Sequence, residues 1–315
     1  MKRIQAAERA AAQEQADALA KLRRAEADAA KLRLQAEAEV AQAKAKKARV
    51  TAKEKALVAA GKIQRLPSFW TTTASTSGFR LVDVTSLWQD RIHELMTETA
   101  KVQFIGQGRD NRGLTHKGYK VERVHRVENA RLWRSYAHRR AEIIGTNPGQ
   151  GAQTDASTWK PWWQTELHQD KRANEVFLFH GTKPGLEKVI ASAGFEERVC
   201  STTGLFGAAI YLAENSSKSD EYCMPDNGGT CFMFLVRASL GTAVETRVPR
   251  NGLRRPPCVN GDFDSAGRPT ICSHPRADSV VALFGPGCFL QKYREFMIYD
   301  RHQVYPELLI EFKRV

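Results

Sequence analysis

Hydrophobic and polar positions recur with two different periods along this chain, and each change of period marks a segment. Val84, Leu87, Trp88, Ile92, Leu95 and Met96 return at three- and four-residue intervals, which predicts a helix with one apolar face starting near Asp83. After a glycine-rich turn at Gly106-Gln107-Gly108, residues Tyr119 to Val127 alternate apolar and polar, the period of a half-buried strand. Asn129 can then cap a second helix that carries Leu132, Trp133 and Tyr136 on one face. From Val176 onward the apolar runs are short and punctuated by Gly and Pro. Val176 to Phe179, Ala208 to Tyr211 and Tyr293 to Asp300 read as strands, and Ser216-Ser217-Lys218-Ser219 opens a helix. The pattern predicts a mixed α+β domain dominated by antiparallel strands.

The first sixty residues show neither period. They hold twenty-two alanines with many Glu, Gln, Lys and Arg and no Gly or Pro, a composition of very high helix propensity. A helix of that length would reach about 90 Å. Its large apolar residues, among them Leu19, Leu22, Leu32, Leu34 and Val40, keep no sustained heptad, so a strong coiled coil is not expected. Residues 1–66 are therefore read as a basic, alanine-rich helical or partly disordered extension, with a weakly self-associating or polyanion-binding helix as the other reading. A Ser/Thr-rich linker anchored by Trp70 spans 67–80. A lead-in of helix, strand and helix follows over 81–145, then a loop over 146–174 and the core domain over 175–315.

The net charge of +13 sharpens this division, because residues 1–66 carry sixteen Lys and Arg against eight Asp and Glu. The remaining chain carries only +5. A mildly basic body suits an anionic dinucleotide, while the arm could meet nucleic acid or a partner helix. The six cysteines form no Cys-x-x-Cys pair and no secretory leader is evident, so a reducing compartment, nuclear or cytoplasmic, is expected rather than secretion. Cys258, Cys272, His274 and Cys288 are too irregularly spaced for a zinc site, and no metal is expected. No apolar run approaches the ~20 residues of a spanning helix, so no membrane association is expected.

Three segments carry candidate chemistry. The Val176–Phe179 strand delivers His180-Gly181-Thr182 at its end, an imidazole and a hydroxyl flanking a backbone that a ligand can approach closely. Tyr211 precedes the Ser216 helix, and Tyr222 follows eleven residues after it. If strand and helix meet at a corner, the two rings can face each other across a slot for a flat cationic ring. Glu295 lies in an apolar strand, where a carboxylate needs a partner, and a salt bridge to a Lys or Arg would supply one.

In order and spacing, Phe179-His180-Gly181-Thr182, Phe206-Gly207 through Ile210-Tyr211, Ala213-Glu214-Asn215-Ser216-Ser217-Lys218-Ser219, Glu295 and Tyr305-Pro306-Glu307-Leu308-Leu309-Ile310 resemble the poly(ADP-ribose) polymerase catalytic domain, most like the tankyrase subgroup. Residues 121–136 resemble the strand and helix that lead into that domain. The resemblance implies an ADP-ribosyltransferase fold with split antiparallel β-sheets and NAD as the ADP-ribose donor. It implies that His180, Tyr211 and Glu295 form the catalytic signature. By the same likeness His180 and Thr182 would hold the adenosine ribose, and Gly181 and Ser219 the nicotinamide carboxamide. Tyr211 and Tyr222 would sandwich the ring, with Ala213 lining the donor site, and Glu295 would orient the nicotinamide ribose and the acceptor. The loop over 195–203 would border the donor, and the segment after Gly241 the acceptor. Glu295 points to poly(ADP-ribose) synthesis on acceptor proteins, the enzyme itself included; single transfer, or NAD sensing by a catalytically weak scaffold, are the alternatives. Two departures stand out. Ala209 replaces a usual glycine, and its methyl would narrow the nicotinamide slot; the tankyrase-type zinc cluster is absent.

Overall fold

The computed structural model describes residues 65–72, 78–107, 113–146, 154–260 and 273–315, with scattered positions between 21 and 56. The chain divides into two compact units, Met1–Ile63 and Gln64–Val315. In the first, the described positions, chiefly 31–42, are helical and exposed. The expected continuous helix over 1–66 otherwise lies outside the described residues.

The second unit is built on one nine-stranded sheet. Its strands are β1 (Arg80–Asp83), β2 (Tyr119–Glu128), β3 (Glu175–Thr182), β4 (Ile210–Ala213), β5 (Cys231–Ser239), β6 (Ala243–Thr246), β7 (Ser279–Ala282), β8 (Glu295–Ile298) and β9 (Val304–Arg314). Their order is β1-β2-β9-β5-β3-β4-β8-β7-β6. Helices α1 (Thr85–Thr99), α2 (Ala130–Thr146), α3 (Trp162–Glu166), α4 (Leu186–Ala193) and α5 (Ser216–Asp220) pack around it.

The uninterrupted apolar run of β3 reflects burial on both faces. Phe177 and Phe179 join the core under α1 with Trp88, Ile92, Leu95 and Met96. Val176 and Leu178 enter the opposite core with Leu212, Phe234 and Phe296. Helix α1 buries the face its periodicity predicted, apart from Leu87, which is exposed. Helix α2 starts where expected, with Asn129 Oδ1 accepting from Leu132 N at 3.2 Å. Trp70 is buried with its ring 5.6 Å from that of Trp133.

Four expectations need correction. The sheet is continuous rather than split, because β3 and β4 remain joined, though only by the single pair Phe179↔Ala213. Nor is it wholly antiparallel, since β6 and β7 run parallel. The strand around Tyr211 also begins two residues later than its apolar run. Gly207 has φ +79° and Ala208 N donates to Leu253 O at 2.7 Å, so the backbone is tied to another loop before it enters the ladder. The linker assigned to residues up to 80 ends in β1, whose Arg80–Asp83 pairs with β2.

A buried charge network locks α2 to the strands. Arg237, with no exposed surface, donates to Glu175 Oε2 at 3.0 Å, Glu307 Oε2 at 2.8 Å and Leu167 O at 2.6 Å. Tyr136 Oη, Arg140 and the Asp170 amide also donate to Glu175. Burial disfavours the charged guanidinium of Arg237, yet the two carboxylates outweigh it and hold the group charged.

Candidate active site

One register row crosses the whole sheet through the seam. In it Leu235 of β5, Phe179 of β3, Ala213 of β4, Glu295 of β8, Ala282 of β7 and Thr246 of β6 are successive partners. Ala213 is thus the joint between the two halves of the sheet. It sets Glu295 two strands from Phe179, beside which His180 follows. Tyr211 lies two positions from Ala213 on the same face of β4, diagonal to Glu295.

His180 Nδ1 lies 3.0 Å from Tyr211 O. A carbonyl only accepts, so Nδ1 carries the hydrogen and Nε2 presents a lone pair. The ring packs edge-on to Phe195 at 5.0 Å. Burial holds the imidazole below its usual pKa, against a smaller opposing effect of the Tyr211 carbonyl, which keeps it neutral. Thr182 ends the strand and is buried.

Gly181 is required by packing. A Cβ there would stand 1.9 Å from Ser219 O and 2.9 Å from Cys223 Sγ. This contact seats α5, with buried Ser216, Ser217 and Ser219, against the end of β3. Ser216 Oγ donates to Met96 O at 2.5 Å and Lys101 N donates to Ser217 Oγ at 2.9 Å, so α1 and its C-terminal extension clamp the other side.

The Tyr211 hydroxyl accepts from Phe206 N at 3.0 Å and donates to Gly207 O at 2.9 Å. Burial, reinforced by the charge of Glu295 and opposed by the Phe206 amide, pushes the phenol up to about 12. The ring therefore stays neutral and fixed. Tyr222, by contrast, is 45% exposed. Lys218 Nζ sits 5.0 Å from its centroid and 3.2 Å from its hydroxyl.

Lys218 gathers the rest of the site. Its Nζ lies 2.9 Å from Glu221 Oε2 and 3.4 Å from Glu295 Oε1, while Glu295 is only 8% exposed. Burial alone would favour the neutral amine, but Glu295, Tyr222 and Glu221 outweigh it and keep Lys218 charged. This is the salt-bridge partner that an apolar strand carboxylate called for. Lys218 was visible only as a lysine in a serine run, and nothing local signals a partner 77 residues away.

The residues expected to act together divide as follows. His180 and Tyr211 share a hydrogen bond, Gly181 and Ser219 a backbone contact, Ala213 and Glu295 a ladder position, and Lys218 bridges Glu295 to Tyr222. The Ala209 methyl does not fill a slot of its own. It is 1% exposed in a core cluster with Phe206, Leu253, Val280 and Met297, against which Tyr211 packs, and the backbone there avoids the left-handed region. Among the considered zinc ligands, Cys258 pairs with Arg276 and Cys288 accepts from Arg247 Nη1 at 3.4 Å, while Cys272 lies outside the described residues. Among the described residues no group of three His, Cys, Asp or Glu could hold a metal, and no helix is long and apolar enough to cross a membrane.

A family model described as the poly(ADP-ribose) polymerase catalytic domain matches residues 102–314. Protein mono-ADP-ribosyltransferase PARP12 of Mus musculus is 26% identical over 199 residues, 62% of this chain and 22% of that protein. The PARP12 of Homo sapiens is 25% identical over 255 residues, 78% of this chain and 28% of that protein. The poly [ADP-ribose] polymerase tankyrase of Caenorhabditis elegans is 39% identical over 71 residues, 22% of this chain and 3% of that protein. The chain thus spans about a quarter of the length of the PARP12 relatives it matches.

Proposed function

The chain belongs to the poly(ADP-ribose) polymerase catalytic-domain family, and from that premise we propose that it is an NAD-dependent ADP-ribosyltransferase acting on protein acceptors, itself included. The observation that carries the reading is the buried Glu295, ion-paired to Lys218 and diagonal to Tyr211 in a ladder beginning beside His180. The exposed Tyr222 ring, the fixed Tyr211 ring and the neutral His180 fit a donor with a flat cationic ring and a ribose.

In this reading His180 Nε2 accepts from a hydroxyl of the adenosine ribose, with Thr182 beside it. The Gly181 backbone and Ser219 hydroxyl hold the carboxamide. Tyr211 and Tyr222 stack on the nicotinamide, and Ala213 borders it. Glu295 accepts a hydrogen bond from the nicotinamide ribose and faces the positive charge that grows on the sugar as its bond to nitrogen breaks. Nicotinamide leaves with the bonding pair. The acceptor oxygen then bonds to the sugar carbon, and Glu295 takes its proton as general base. Lys218, held charged 3.4 Å from Glu295 Oε1, fixes the orientation of that carboxylate.

A carboxylate able to activate a weakly nucleophilic adenosine hydroxyl supports chain elongation, the tankyrase-like reading. A second reading, single transfer, is favoured by the alignments with mono-ADP-ribosyltransferases, which cover far more of this chain than the tankyrase match does. Labelled NAD incubated with the purified protein and with Glu295→Gln separates them on a denaturing gel. A high-mass smear lost in the variant is expected; a sharp band from the wild type establishes single transfer, and no label with either refutes both.

A further inference from the structure

The chain between α4 and β4 crosses the proposed donor site from one side to the other. Phe195, at its start, is buried and meets the His180 ring edge-on at 5.0 Å. At its far end the Tyr211 hydroxyl is bonded to Phe206 N and Gly207 O, and a Cβ on Gly204 would stand 2.7 Å from Tyr211 Oη. The loop thus runs from the side chain assigned to the adenosine ribose to the ring assigned to nicotinamide. Whatever fixes the loop shapes the space between them.

Its two ends are fastened differently. The far end is tied through backbone, since Gly252 N donates to Thr202 O at 3.0 Å and Arg250 N to Leu205 O at 2.7 Å. The near end, just past Phe195, is tied through the side chain of Glu196. That carboxylate accepts from Arg198 N at 3.3 Å and from Arg198 Nε and Nη2, each at 2.6 Å, which closes the turn Glu197–Val199 on itself. Its Oε2 also accepts from Arg301 Nη1. Of the two arginines only Arg301 lies outside the loop. Between the two fastenings Val199 is 83% exposed.

Arg301 stands on a rigid base. It opens the turn Arg301–Gln303 between β8 and β9, and buried Gln303 donates to Ser239 O at 2.9 Å and to Asp278 O at 3.2 Å. The neighbouring Asp300 pairs with Arg139 Nε of α2 at 3.1 Å. The fixed half of the latch therefore belongs to the connection that leaves the strand of Glu295. The Arg198 hydrogen bonds, followed by the charges of Arg301 and Arg198, hold the Glu196 carboxyl down at about 2, so the pair stays charged at neutral pH.

Resting on the transferase reading, we propose that Arg301 is a positioning residue, which through Glu196 holds this loop over the dinucleotide donor and so raises donor affinity without touching the reacting atoms. A donor that binds only the held loop has an apparent Kd equal to the intrinsic one divided by the fraction of molecules with the loop held. Loss of the latch is therefore read directly as loss of affinity.

The test uses the full chain with Arg301→Ala, Arg301→Lys and Arg198→Ala. Calorimetric titration with a non-hydrolysable carbocyclic NAD analogue reads donor affinity, nicotinamide release from NAD reads KM and kcat, and hydrogen exchange of amides 197–203 reads the loop with no ligand present. Arg301→Ala should weaken binding and raise KM about three- to five-fold, the size expected of a partly exposed ion pair. Its kcat should match wild type, and its loop amides should exchange faster. Arg301→Lys should recover most of the affinity, and Arg198→Ala, which removes a pair inside the turn, should bind as wild type does. Unchanged affinity in Arg301→Ala, a fall in kcat as large as the rise in KM, or an equal loss in Arg198→Ala overturns the proposal. Unaltered exchange in Arg301→Ala overturns the latch itself. A wild type that binds the analogue but releases no nicotinamide refutes the transferase reading, whereas the latch is still decided by binding and exchange.

Discussion

Replacing Gly181 by alanine probes the contact on which the candidate site is assembled. The added Cβ would stand 1.9 Å from Ser219 O, and real Cβ atoms essentially never come within 3.0 Å of a heavy atom. The strand and α5 must therefore separate by at least 1.1 Å. Neither side yields cheaply. Gly181 lies between two paired strand positions, His180↔Phe234 and Thr182↔Phe232, while Ser216 and Asn215 are bound to Met96 and Thr99 of α1. Overpacking of this kind costs about 1–3 kcal/mol, equivalent to a fall in Tm of about 2–12 °C for a unit of this size. The functional loss should be larger, because α5 carries Ser219 and Lys218 and leads to Tyr222. A misplacement of about 1 Å at a reacting site costs on the order of 100-fold in rate. Thermal melts and nicotinamide release measure the two effects. Gly185→Ala is the control: Gly185 has φ +89° but nothing within 4 Å of its Cβ position, so it should cost about 1 kcal/mol with unchanged turnover. If Gly181→Ala keeps the wild-type Tm and turnover, the packing argument is wrong.

Three further outcomes follow from the geometry. Arg237→Met should cost about 3–5 kcal/mol, because it leaves Glu175 and Glu307 buried without their shared cation; a denaturant midpoint within error of wild type would contradict the network's role. Ala209→Gly, which restores the residue usual in the family, should lose about 1–2 kcal/mol from methyl burial and backbone freedom, with NAD affinity unchanged by calorimetry; a clear gain in affinity would mean that the methyl does crowd the nicotinamide. The neutral His180 has a pKa lowered by burial, so its unfolded form takes up a proton first as pH falls. Stability should therefore be full above the ordinary imidazole value of ~6.5 and decline below it, at up to about 1.4 kcal/mol per pH unit. His180→Gln should remove that part of the slope in melts between pH 7 and 5, and an unaltered slope would refute it.

The long periodic segments were legible in the sequence because each carries its own repeating face. Helix α1 announced itself through Trp88, Ile92, Leu95 and Met96, β2 through its alternation, and β3 through an apolar run too continuous for an exposed strand. The residues at the end of β3, on β4 and at Glu295 stood out through their order and spacing, which carry the family resemblance; the structure brings His180 to Tyr211 and sets Glu295 diagonal to it. The four-residue strands β1, β6 and β7 were not legible, and pairing with their neighbours supplies their stability. The continuity of the sheet was equally hidden, because it depends on one ladder pair, Phe179↔Ala213. Contacts between distant segments were decided only by the tertiary structure. Lys218 meets Glu295, Gly181 meets Ser219, and Ala213, Glu295, Ala282 and Thr246 form one rung. Local sequence sets which face a side chain takes, whereas register between strands sets which faces meet, and register is fixed by the packing of the whole sheet.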